Sequence, residues 1–336
     1  MPGRQSAGHR IGPVRDRIVA IVGYDRAELL DIACITTTLG MANHMGARRP
    51  YRAVVATPGG RPIELHSGLT LGGQQSLERL SGPLDTLIVA GGLGHEDAAA
   101  DLRLVGHVRR LAVLTRRVAS VCTGANVLAA AGLLDGRRVT THWAFADGIA
   151  ARYPKVTVDP EPIYIRDGNV ATSGGVTSAL DLALAFVEED HGADVARRVS
   201  RHLVTYLQRP GSQAQMSIFT AAPPPDNDIV RRMVDYVASH LDEDLSTASL
   251  AAHAGIGQRH LNRLFTHHTG QSAGQYVRRA RAEAAANLLT STSLPVAGVA
   301  RRCGFGSAEA LRLAFAQLYG TSPSQYRTTQ GRRSAR

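Results

Sequence analysis

A β-branched run, Val118-Ala119-Ser120-Val121, ends on Cys122 and is followed at once by Thr123-Gly124-Ala125, a small-residue start suited to a helix. A strand–cysteine–helix turn is the geometry of a nucleophile elbow. A helix N-terminus aimed at the sulfur would lower its pKa and favour the thiolate. His142, in Thr140-Thr141-His142-Trp143, follows another strand-like run, and Gly91-Gly92 follows a third. On one edge of a parallel sheet these residues would gather a thiol, an imidazole and free backbone amides where open α/β sheets collect ligands. Cys122 could then be a nucleophile, with His142 as base or orienting group and the Gly92 amides stabilising an anion. The favoured reading is that it lines a pocket that binds without turnover; it could also be a buried thiol with no chemistry.

A second set of residues has the chemistry of base recognition. Arg259, Asn262, Arg263 and Thr266 recur at i, i+3, i+4 and i+7, on the helix face opposite Leu261, Leu264 and Phe265. Arginine matches guanine and asparagine matches adenine in the major groove. Ser307, Glu309 and Arg312 are outward candidates in a similar segment, where Leu311 and Phe315 pack. The two segments belong to a repeat. Gly270-Gln271-Ser272-Ala273-Gly274-Gln275-Tyr276 returns fifty positions later as Gly320-Thr321-Ser322-Pro323-Ser324-Gln325-Tyr326, and each copy follows a Gly-apolar-Gly turn, Gly255-Ile256-Gly257 or Gly304-Phe305-Gly306. Such a repeat predicts tandem helix-turn-helix units touching successive major-groove faces of one duplex. Ser246 is a good N-cap for the first unit, Pro295 suits the first turn of the second, and Ser272-x-x-Gln275 and Ser322-x-x-Gln325 have the form of capping boxes. Arg278, Arg279 and Arg281, on the helix joining the units, are candidate phosphate contacts.

Charge follows the repeat. From Ser246 onward there are twelve Arg and no Lys against two acids, whereas the residues before it hold 26 Lys+Arg against 26 Asp+Glu. The whole excess of +10 therefore sits on the repeated segment, the footprint of a nucleic-acid module.

The elements that must position these groups are legible by period. Strand candidates are Ile18–Val22, Arg52–Ala56, Thr86–Ala90, Val118–Val121, Val139–Thr141, Val156–Val158, Ile163–Ile165 and Val170–Thr172. Helical stretches fall near 27–45, 98–115, 124–133 and 176–189. Alternating strands and helices imply a flavodoxin-like α/β sandwich with a mostly parallel sheet, with a local antiparallel addition near 156–172. An all-α domain with the two helix-turn-helix units follows. The expected division is a disordered tail at 1–16, an α/β domain at 17–208, a Pro-rich linker at 209–227 containing Pro223-Pro224-Pro225, a DNA-binding domain at 228–328 and a basic tail at 329–336. No apolar run is long enough to span a bilayer, and residues 1–16 lack the apolar core of a signal peptide. Cys34, Cys122 and Cys303 are odd in number and scattered, which argues for a reducing cytosol and against a disulfide framework or a metal site.

Residues 226–328 resemble the AraC/XylS family of transcription regulators. The resemblance rests on both turns, the paired Gly-x-Ser-x-x-Gln-Tyr segments and the block Pro295-Val-Ala-Gly-Val-Ala-Arg-Arg-Cys-Gly-Phe-Gly-Ser307. It places base-contacting positions on Arg259, Asn262, Arg263, Glu309 and Leu313. Leu313 is apolar where relatives commonly carry arginine, so the first unit is expected to set specificity and the second to anchor through Ser307 and Arg312. Residues 17–200 resemble the PfpI/ThiJ (class-I glutamine-amidotransferase-like) superfamily, with Cys122 on the elbow cysteine, His142 on the nearby histidine and Asp31 on the first-helix acid that contacts the thiol.

The fusion is the layout of the GlxA-like transcription regulators. It implies a cytoplasmic, sequence-specific regulator of double-stranded DNA, an activator working with RNA polymerase and dimerising through its α/β domain. Control would come from a small, nitrogen-containing metabolite held by Asp31, Gly91, Gly92, Cys122, Thr123 and His142, with no cofactor or metal. Relatives without the DNA module include isonitrile hydratases, so the alternative is a cysteine-dependent hydratase or amidohydrolase tethered to DNA. A third reading makes the α/β domain only a dimeriser. Cys34 lies one helical turn from Asp31 and permits redox pairing with Cys122.

Overall fold

The computed structural model describes residues 16–205, 209, 211, 215, 227–292 and 294–332. The Pro223-Pro224-Pro225 linker, residues 1–15 of the expected tail and residues 333–336 lie outside the described residues. The chain divides into two compact units. The first comprises Met1–Pro160, Tyr164–His191 and Val195–Leu203; the second comprises Glu161–Ile163, Gly192–Asp194 and Val204–Arg336.

In chain order the strands are β1 (Arg17–Val22), β2 (Tyr51–Thr57), β3 (Ile63–Glu64), β4 (Thr70–Leu71), β5 (Gln75–Ser76), β6 (Leu84–Val89), β7 (Thr115–Val121), β8 (Arg138–Val139), β9 (Thr157–Val158), β10 (Tyr164–Asp167) and β11 (Val170–Ser173). Seven of them form one sheet in the order β10-β11-β7-β6-β1-β2-β5. Only β10 runs antiparallel to its neighbour. β9 pairs in parallel with β8 in a separate two-stranded piece, so the expected antiparallel addition is confined to β10 and β11.

The helices here are α1 (Leu29–His44), α2 (His95–Ala100), α3 (Leu102–Ala112), α4 (Gly124–Ala130), α5 (Ala146–Arg152), α6 (Ser178–His191) and α7 (Ala193–His202). The single helix expected near 98–115 is broken at Asp101, whose carboxylate caps the N–H groups of Arg103 and Leu104. Alternation along the strands sends Ala20, Val22, Leu87, Val89 and Val118 into one core with Ala98, Leu104, Val108 and Leu128 of α2–α4. Ile32, Ile35 and Leu39 of α1 are buried, as are Leu182, Leu184 and Phe186 of α6, and these two helices pack together. At the strand starts Asp85 binds Arg17 and Arg116, while Asp190 at the end of α6 binds Arg116, Arg117 and the Tyr51 hydroxyl.

The second unit contains α8 (Asp228–Ser239), α9 (Thr247–Ala254), α10 (Gln258–Thr269), α11 (Ala273–Ser291), α12 (Val296–Arg302), α13 (Ala308–Tyr319) and α14 (Pro323–Arg332). Helix α14 therefore runs past the expected domain end at 328. Ser246 caps α9, Gly255 ends it in the left-handed region, and Ser272 with Gln275 forms a complete capping box on α11. In the second copy Ser322 Oγ accepts the N–H of Gln325.

Helix α11 is shared. Its first half gives Ala273, Tyr276, Val277 and Ala280 to a core with Val230, Leu250, Leu261 and Phe265. Its second half gives Ala282, Ala285, Ala286 and Leu289 to another with Val299, Cys303, Leu311 and Phe315. Cys303 is thus a core residue. Arg281 is engaged within the unit: its Nε donates to Leu241 O at 2.9 Å and its Nη2 to Glu243 O. Arg279 Nε donates to Glu283 within the helix at 3.4 Å. Arg278 alone of the three is exposed.

The turn of the second unit leans on this staple. Gly304 has φ +72, and a Cβ there would stand 2.0 Å from Leu241 O and 2.7 Å from Arg281 Cζ. Gly304→Ala adds both a left-handed penalty and a backbone clash. It should destabilise the DNA-binding unit by about 2 kcal/mol or more in chemical denaturation, whereas Gly306→Ala, with open space around it, should be near neutral.

Candidate functional site

The elbow forms as its sequence predicts. β7 ends at Val121, Cys122 takes φ +54, and α4 follows. The strained turn is held from both sides. Cys122 N–H is shared between Ser173 O and Gly174 O, each at 3.0 Å, and Cys122 O accepts from Thr141 Oγ1 at 2.8 Å.

The amides expected to be free are occupied. Gly91 N–H donates to Asp31 Oδ2 at 2.9 Å, and Gly92 N–H donates to Thr123 Oγ1 at 2.9 Å. The Thr123 hydroxyl donates in turn to Gly92 O at 2.9 Å. The Gly92 amide, expected to stabilise an anion, is therefore already engaged, and Thr123 is a buried clamp. Gly91 is required for close approach: a Cβ there would stand 2.5 Å from Cys122 Cβ and 2.8 Å from Asp31 Oδ2. That one position brings Asp31, Gly91, Cys122 and Thr123 together.

The electrostatics also correct the sequence reading. Burial pushes the Cys122 thiol up to about 12, and the negative charge of Asp31 adds to the shift. The opposing pull of the Thr123 N–H and hydroxyl is smaller. The helix start therefore does not yield a thiolate; desolvation wins. Asp31 is itself raised from 3.8 to about 7 by burial, against the Gly91 N–H, with Glu28 adding upward and the Val176 N–H downward.

His142 is half-buried, and burial lowers its pKa. Its Nδ1 accepts from Ala144 N–H at 3.2 Å, and the ring stacks against Trp143 at 5.7 Å between centroids. No hydrogen bond joins it to Cys122 among the described residues. Both touch the same turn, Cys122 through Gly174 O and His142 through Gly175, where a Cβ would lie 2.3 Å from its Cδ2. Cys34 and Cys122 are both free thiols, and burial raises the Cys34 pKa as well.

Sequence reasoning missed three supports. Val176 has φ +49, unfavourable for a β-branched residue, and its N–H reaches Asp31 Oδ1 at 3.2 Å. Tyr24 is buried and donates to Ala90 O at 2.9 Å. Asn126 of α4 meets His95 across a buried contact of 2.8 Å. Only Tyr24, just past the end of β1, carried a signal, since strand ends collect functional groups in this architecture.

On the second unit, α10 and α13 present the expected outward faces. Arg259, Arg263 and Thr266 are exposed. Asn262 is half-buried, and its Oδ1 accepts the Ala273 N–H at 3.2 Å. The acceptor needed for bidentate adenine readout is thus already engaged in fixing α10 to α11. Ser307 caps α13 by accepting the Ala310 N–H at 3.1 Å. Arg312 is closed on Glu309 by bonds of 2.8 and 2.6 Å. An open groove of about 570 Å³ is lined by α9, α11 and α13 residues that include Arg278, Leu313 and Gln317.

An elbow-bearing α/β domain joined to a double helix-turn-helix domain on one strut is the build of a DNA-binding transcription regulator. The DJ-1/PfpI family matches residues 19–189, and a helix-turn-helix domain matches residues 250–329. The chain belongs to the DJ-1/PfpI family, in the branch that carries an AraC-type DNA-binding domain. The HTH-type transcriptional regulator GlxA of Rhizobium meliloti is 30% identical over 90% of this chain and 93% of its own length. The isonitrile hydratase of Pseudomonas putida is 38% identical, but over only 42% of this chain and 60% of its own. A crystal structure of a THiJ/PfpI family protein from Pseudomonas syringae shares the fold, with TM-score 0.54 and 24% identity over 76% of this chain and 98% of that one.

The ionisation of Asp31 has a sign that can be measured. With its folded pKa raised, the group's favourable contribution is complete below the ordinary value of 3.8 and is lost as pH rises through about 7. Asp31→Asn should flatten the decline in melting temperature over that window. It should also speed alkylation of Cys122 by iodoacetamide, because one cause of the raised thiol pKa is gone. An unchanged alkylation rate would show that Asp31 does not govern the sulfur.

Proposed function

We propose that the α/β unit is the receptor for a small, nitrogen-containing metabolite and that its occupancy controls transcription from operators read by the second unit. The receptor site is the sheet edge around Asp31, Gly91, Gly92, Cys122, Thr123 and His142. Thr123 and the two glycines shape it from behind, and the half-buried His142 with exposed Trp143 forms its approach. In the DNA-binding unit Arg259 and Arg263 read bases, Arg278 meets phosphate, and Asn262 and Ser307 hold the reading helices in place. Arg312 and Glu309 form a surface pair that a phosphate or base can reopen, since such pairs are weak. The protein acts in the cytoplasm as a homodimer formed through the α/β unit, and it activates by presenting a surface to RNA polymerase.

One observation carries the choice of receptor over enzyme. Burial pushes the Cys122 thiol up to about 12, with the negative charge of Asp31 adding to the shift, which supports a pocket that binds over one that needs a thiolate. The partial likeness to an isonitrile hydratase favours the rival, a tethered hydratase or amidohydrolase. Cys122→Ala separates them: a receptor keeps DNA binding and much of its metabolite response, while an enzyme loses all turnover of an isonitrile or amide.

The reading of bases has its own test. Arg263→Ala should cost about 1–3 kcal/mol of operator binding and relax preference at one base pair, measured by titration against a panel of single-base variants. Equal loss on every duplex would make Arg263 a phosphate contact instead. Arg278→Ala should weaken all duplexes alike and lower the salt slope by about one.

A further inference from the structure

The fifty-residue repeat gives α10 and α13 a common register. Leu261 and Phe265 of α10 correspond to Leu311 and Phe315 of α13, all four fully buried, and Gly270 and Gly320 close the two helices in the same left-handed conformation. In that register Arg259 corresponds to Glu309, Asn262 to Arg312, Arg263 to Leu313 and Thr266 to Ala316. The outward face of α10 is therefore made of hydrogen-bonding groups. That of α13 is not. Its two charges close on each other through a bidentate pair, and what remains at the equivalent positions is Leu313, 61% exposed, with exposed Ala316 one turn on.

A large exposed aliphatic group inside the most basic segment of the chain suits a partner that is both anionic overall and locally apolar. The major groove offers one such group, the C5-methyl of thymine, which apolar side chains contact directly. Resting on the reading of the second unit as a DNA-binding domain, we propose that Leu313 is a specificity-determining residue. It selects thymine by contact with the methyl group, with Ala316 keeping that face free of polar atoms. The two heads then read by different chemistry, hydrogen bonds from α10 and methyl contact from α13. This revises the expectation that the second unit mainly anchors.

The experiment uses the full chain and a duplex selected by it from a random library. Each thymine in the segment covered by α13 is replaced by deoxyuridine, which removes the methyl and leaves every hydrogen-bonding group in place. The wild-type chain should lose roughly fourfold in affinity for each contacted methyl, the effect of one buried carbon. Leu313→Ala, at an exposed position that leaves the core untouched, should bind thymine and deoxyuridine duplexes equally while keeping the wild-type preferences under α10. Equal wild-type affinity for the two duplexes would overturn the inference. So would an undiminished thymine preference in Leu313→Ala. Selection of no preferred duplex would overturn both this inference and the DNA-reading assignment beneath it, so the two failures are told apart.

Discussion

One helix belongs to two hydrophobic cores. The nineteen residues of α11 supply side chains first to the core that carries α10 and then to the core that carries α13. Neither reading helix can shift along the strut without opening a core, and cavities of that kind cost several kcal/mol. Arg281, bound to Leu241 O and Glu243 O with Gly304 pressed against it, adds a polar lock at the midpoint. A strut of this length spans about 28 Å. Everything inferred about DNA reading depends on this rigidity.

The α/β unit is organised around a different constraint, one buried carboxyl. Asp31 accepts N–H groups from Gly91 and Val176, so it ties the loop after β6 to the loop after β11, directly beneath the Cys122 turn. Two left-handed non-glycine residues, Cys122 and Val176, sit in that network. Strain of this kind persists only where neighbours over-determine it, and it concentrates at functional sites. A ligand that disturbed either loop would act on both, a physical basis for a two-state receptor that needs no turnover.

Most of the fold was legible because it is written in periodicity. Each expected strand formed, and the repeat located both helix-turn-helix units because buried leucine and phenylalanine recur at a fixed offset. The site was legible only in part. Cys122, Asp31 and His142 were named, and the first two are neighbours across Gly91. Their chemistry was misjudged, since a helix start in sequence does not say how dry the sulfur will be. Nor did glycine pairs reveal that their amides were already engaged. Val176 was invisible, because no local pattern marks a valine forced to positive φ by a partner 145 positions away. In the second unit exposed arginines looked alike, and only the packed structure separates Arg281, a staple, from Arg278, a free surface group.

The central claim is that two heads held on one strut read one face of a duplex together. Hydroxyl-radical footprinting of the full chain on its selected duplex tests it most directly. Two protected stretches about 10 base pairs apart on the same face are expected for each bound chain. A single stretch, or two on opposite faces, would contradict the account.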